Sequence, residues 1–129
     1  MAHTFDTKVK IPGTVNTTTT ANPATGTFAC GANASLLTVG IIYAGTTPRA
    51  GGSLVFNGLV LSQADQRRGI TEASAELWYL LNPPIGTKVL VVPNTNGLAM
   101  DIFVSSYNAQ AGYSSALDVA AGTGSTSAN

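Results

Sequence analysis

The sequence predicts an all-β fold, an antiparallel β-sandwich of jelly-roll type preceded by an extended N-terminal arm. Three observations carry this expectation. Short apolar runs recur at about ten-residue intervals, the spacing of strands in sandwiches and jelly rolls. Turn residues separate them, at Gly45–Gly52, Asn57–Gly58, Asn82–Pro84 and Asn94–Gly97. No segment sustains the period of an amphipathic helix.

Taken in order, Met1–Lys10 lacks the apolar stretch that a signal peptide requires, and Thr14–Gly26 is a run of β-branched and turn residues. Residues 1–26 therefore read as an extended arm. Thr25–Cys30 reads as a short first strand. Ser35–Tyr43 is a stronger one, nearly apolar on both faces and rich in β-branched residues. Gly45–Gly52, with Pro48 and two closing glycines, is a loop. Ser53–Ser62 holds two apolar runs joined by Asn57–Gly58, a hairpin signal because a type I′ turn needs positive φ at both central residues.

Gln63–Ala73, which carries Asp65, Arg67, Arg68 and Glu72, interrupts the strand pattern and reads as a solvated loop, with a contact surface as the alternative. Ser74–Leu81 resumes it. Leu77, Tyr79 and Leu81 share one pleat face, and Glu76, Trp78 and Leu80 the other, so the strand belongs inside a sandwich until Asn82-Pro83-Pro84 ends it. Thr87–Pro93 is a further strand. In Leu98–Tyr107 the residues Met100, Ile102, Val104 and Ser106 oppose Ala99, Asp101, Phe103 and Ser105. The pattern fades after Asn108. The sandwich domain is accordingly placed at residues 27–120, and a Gly/Ser/Thr tail or connector at 121–129.

With 129 residues the chain is one domain, able to bury a core without disulfides or metals. Only 9% of residues are charged, six of each sign, against about a quarter in ordinary soluble domains. Thr, Ser, Asn, Gly and Ala must therefore cover the surface. Without net positive charge, the footprint needed for phosphate contacts is missing, so nucleic acid is not an expected partner. No apolar stretch is long enough to span a bilayer.

The single cysteine, Cys30, excludes an internal disulfide and multi-Cys zinc signatures, and its apolar neighbours suggest a small buried side chain rather than a reactive thiol. His3 is the only histidine, so a zinc triad or a His-dependent hydrolase centre lacks material. Asp65, Glu72, Glu76, Asp101 and Asp118 lie in contexts that do not suggest a glycosidase pair, and Glu76 is expected to pair with Arg67 or Arg68. No catalytic, cofactor-binding or metal-binding residue is assigned, and the chain reads as non-enzymatic. Among the aromatics, Trp78 is expected in the core, whereas Tyr113, between Gly112 and Ser114, is the better candidate for an exposed contact with carbohydrate.

The succession Val39–Tyr43, Val55–Leu61, Ala75–Pro84 and Leu117–Gly122 resembles a β-sandwich module of bacteriophage virion proteins that also occurs in some large bacterial surface proteins. The most specific part is Glu76–Tyr79 running into Asn82-Pro83-Pro84. The resemblance implies a structural or adhesive role without catalytic residues. It sets three expectations: a capsid decoration or cement protein, a tail or fibre component, or a carbohydrate-binding adhesion module. The expected partners are the major capsid protein, other virion subunits and further copies of this chain. The expected location is the virion, after synthesis in the host cytoplasm. Strands beyond Asn129, or a strand from a neighbour, are expected to finish an open sheet edge.

Overall fold

The computed structural model describes residues 3–11, 18–45, 47, 49, 51–69 and 73–109. Every regular element among them is a β-strand. In chain order these are β1 (His3–Ile11), β2 (Ala24–Cys30), β3 (Ala34–Ala44), β4 (Val55–Phe56), β5 (Leu59–Val60), β6 (Ser62–Arg67), β7 (Ala73–Leu81), β8 (Gly86–Val92) and β9 (Met100–Ala109).

The pairing is nested about one turn. β4 pairs with β5, β3 with β7, β2 with β8 and β1 with β9, all antiparallel, so the chain is a long hairpin whose tip is Asn57–Gly58. Both tip residues have positive φ, 51° and 79°, as a type I′ turn demands. Rolling that ribbon brings β3 against β9 and β4 against β8. The result is a five-stranded sheet in the order β1-β9-β3-β7-β6 and a four-stranded sheet in the order β2-β8-β4-β5. This is the connectivity of a jelly roll, with β6 as an added edge strand.

Strand periodicity explains the core. In β3, Leu37, Val39, Ile41 and Tyr43 are buried, and in β9 so are Met100, Ile102, Val104 and Ser106. They meet Phe28, Phe56, Leu90 and Val92 from the facing sheet, and Trp78 is buried with them. Cys30 is also buried, as its apolar neighbours suggested. Asn94, wholly buried after β8, is kept there by its bonds: Nδ2 donates to the carbonyls of Leu98 (2.9 Å) and Ala21 (3.3 Å), and Oδ1 accepts from Leu98 N.

Two sequence expectations change. Within the stretch read as an arm, His3–Ile11 pairs along β9 of its own chain as an edge strand, and Thr19 bridges to Met100 through two backbone hydrogen bonds. Ala24–Gly26, at the end of that stretch, opens β2, which bears out the strand expected at Thr25–Cys30. Gln63–Ala73 is not a loop throughout, because Ser62–Arg67 forms β6 on the edge beside β7. An edge strand faces solvent along one side and tolerates polar residues on both faces, so it gives no hydrophobic alternation to read.

Candidate functional site

Two surfaces of the five-stranded sheet stand out among the described residues. The first is its outer face. Residues directly opposite in an antiparallel pair point to the same side, so the register Phe103, Gly40, Leu77 across β9, β3 and β7 sets three outward positions in one row. The neighbouring rows carry Asp101, Ile42 and Ala75, then Ser105, Thr38 and Tyr79. Ile42, Leu77, Leu81 and Phe103 are 40–48% exposed. Gly40 leaves a gap between Phe103 and Leu77, since a Cβ placed on it would meet no atom within 4 Å. Asp65 and Arg67 of β6, joined by a 3.2 Å surface ion pair, lie in register with Leu77 and Ala75 and give the apolar patch a polar border.

The second surface is a cleft of about 210 Å³ on the inner side of β6 and β7, closed by the loop before β4. Its base is a buried ion pair. Arg49 Nη2 lies 2.9 Å from Glu76 Oε1, and both side chains are 2% exposed. Arg49 Nε also donates to Oε1 (3.3 Å), and Trp78 Nε1 donates to the same oxygen at 2.7 Å. The remaining arginine donors reach backbone, Nη1 to the carbonyl of Pro93 and Nη2 to that of Gly52. The guanidinium carbon sits 5.8 Å from the centroid of the Trp78 ring, within cation–π range.

A β-bulge decides what else lines this cleft. The register of β6 on β7 shifts between Gln63 and Asp65, so Ala64 is the extra residue. Gln63 opposes Trp78 and, past the bulge, Gln66 opposes Glu76. Without the shift Asp65 would face inward and Gln66 outward. The bulge thus puts two amides on the cleft and sends the carboxylate to the outer face.

The residues singled out in the sequence are placed as follows. Glu76 pairs with Arg49, which corrects the expected Arg67 or Arg68 partner, and Arg67 pairs with Asp65. Trp78 is buried at 6% exposure, as expected for a core residue, and Tyr43 is buried with its hydroxyl accepting a bond from Gln66 Nε2. Tyr79 and Tyr107 are half-buried on the outward face. Burial pushes the Cys30 thiol up to about 11, with the charge of Asp6 adding to the effect, so it stays protonated and unreactive. Glu72, Tyr113, Asp118 and the 121–129 tail lie outside the described residues. Among the described residues no group of three or more His, Cys, Asp and Glu side chains is placed to hold a metal ion. Sequence reasoning missed Arg49, Gln63 and Gln66 because their convergence depends on a long-range pairing and a bulge.

Comparison with known proteins found no matching family, no similar curated protein and no similar solved structure.

Proposed function

We propose that this chain is a non-enzymatic structural protein that acts by packing against other protein subunits. Its proposed setting is a bacteriophage particle, where it serves as a decoration or cement protein on the capsid. The observation that carries the packing role is the outer face of the five-stranded sheet. Ile42, Leu77 and Phe103 stand exposed around the open position at Gly40, with Leu81 two rows further along the sheet and Asp65 and Arg67 at one border. Contiguous apolar patches with polar rims on otherwise soluble domains are how protein contacts are made. The virion setting rests on the sequence resemblance at Glu76–Pro84. Many symmetric copies would let a weak, nearly uncharged contact hold a shell.

The test is mass spectrometry of particles purified from the native source, counting this chain per major capsid subunit. A fixed stoichiometry, lost when Leu77→Lys or Phe103→Lys replaces the native chain, is the expected result. Absence from the particle removes the virion reading, and unchanged incorporation of both variants removes the role of this face.

A further inference from the structure

We infer that the cleft above Arg49 and Glu76 is a binding site for a neutral, hydroxylated ligand of the size of a single sugar ring. The Arg49 guanidinium is spent on Glu76, Pro93 and Gly52, so it offers no free cation to a phosphate or carboxylate. The carboxylate is charge-compensated by the same arginine and offers no net charge to an amine. What remains is hydrogen-bonding capacity without charge. All three donors that reach Glu76 converge on Oε1, which leaves Oε2 as an acceptor on a side chain only 2% exposed at the edge of the cleft.

The rest of the lining matches that chemistry. Gln63 and Gln66 present amides, each both donor and acceptor, and Ser53 adds a hydroxyl. A sugar hydroxyl likewise donates and accepts, so such a mixed set satisfies it where an apolar lining would not. The volume of about 210 Å³ is below the ~300–1,000 Å³ of pockets for drug-sized ligands and suits the part of a ligand the size of one ring. Arg49 lies over the Trp78 ring, so recognition falls to the polar rim rather than to stacking on an aromatic platform. The cleft lies on the inner side of β6, and its occupancy does not depend on the outer face of the sheet.

Trp78 is the only tryptophan of the chain and lines the cleft, so its emission reports the site directly. The full-length protein is titrated separately with glucose, galactose, mannose and N-acetylglucosamine into the millimolar range, the affinity regime of a few hydrogen bonds. At least one sugar is expected to shift Trp78 emission saturably. Gln63→Ala, an exposed position, and Gln66→Ala are each expected to weaken that response about tenfold. Circular dichroism and melting curves check that both variants remain folded. Flat emission with all four sugars overturns the inference, as does a response that the double variant Gln63→Ala/Gln66→Ala leaves unchanged.

Discussion

Asp6 and Ser106, a hundred positions apart in the chain, meet through a 2.6 Å hydrogen bond in which Ser106 Oγ donates to Asp6 Oδ2. The same oxygen accepts from Gly31 N at 3.0 Å. Asp6 can reach both because β1 bulges there: the register on β9 shifts between Phe5 and Thr7. One carboxylate therefore ties the first strand to the last and to the β2–β3 turn. Gly31 suits this contact, since a Cβ at that position would come within 2.9 Å of Asp6 Oδ1.

A pH dependence follows. The bond from Ser106, then that from Gly31, holds the Asp6 carboxyl below its ordinary value of 3.8, against a smaller opposing effect of burial. A depressed folded value means the stabilisation is complete above the unfolded pKa and disappears as pH falls through the folded one. Melting temperatures recorded from about pH 7 down to about pH 2 should therefore fall more steeply for the wild type than for Asp6→Asn. The variant should start lower at neutral pH. Parallel curves would mean that the carboxylate does not anchor β1.

The buried pair of Arg49 and Glu76 makes an asymmetric prediction. Removing one partner leaves an uncompensated charge in the interior, which costs about 3–5 kcal/mol, whereas replacing both with apolar residues of similar size is often neutral or stabilising. Glu76→Leu should thus be strongly destabilised in urea. Arg49→Met/Glu76→Leu should recover most of the loss, apart from the hydrogen bonds to Pro93 and Gly52 and the unmet Trp78 N–H. A double variant no better than the single one would assign the pair's value to those backbone contacts instead.

Much of the fold was legible from local chemistry. Asn57–Gly58 marks the tip of the nested hairpin, the β-branched run of β3 marks a strand, and the apolar strand around Trp78 marks it as a core residue. The strands that escaped are the two edges of the five-stranded sheet. In β1, Thr7, Val9 and Ile11 alternate with Lys8 and Lys10, a signal present in the sequence but masked by the polar tract that follows. In β6 the alternation is absent, because its inward residues line a polar cleft and its bulge breaks the period. Arg49 sits in a Gly/Pro-rich loop, and nothing local indicates that it closes on Glu76, 27 positions away. The outer face was only half visible: the sequence shows that β7 is apolar on both sides, but not which side stays uncovered.

The Asn57–Gly58 turn can be tested without disturbing any packing. A Cβ on Gly58 would meet nothing within 4 Å, so the cost of substitution is conformational, set by its φ of 79°. Gly58→Val should lower stability by at least about 1 kcal/mol, because a β-branched residue resists the left-handed region. Gly58→Asn should lose less, since asparagine tolerates positive φ. Urea midpoints for the two variants check the ordering, and equal losses would mean that the turn is not held in the type I′ geometry.

Gly40 separates a structural role from a contact role on the outer face. Glycine inside a strand costs roughly 0.5–1 kcal/mol relative to alanine, because the unfolded chain loses more freedom. Here the backbone is not in the left-handed region, and an added Cβ meets no atom within 4 Å, so the fold gives no reason for glycine at this position. Gly40→Val should therefore raise the melting temperature of the isolated protein, as a β-branched residue suits a central strand. If the gap between Leu77 and Phe103 receives a side chain from a neighbouring subunit, the same substitution fills it and weakens assembly. Higher stability together with lost subunit association is the expected pair of results. Association that survives Gly40→Val unchanged would place the subunit contact elsewhere on the molecule and leave the glycine without a role in packing.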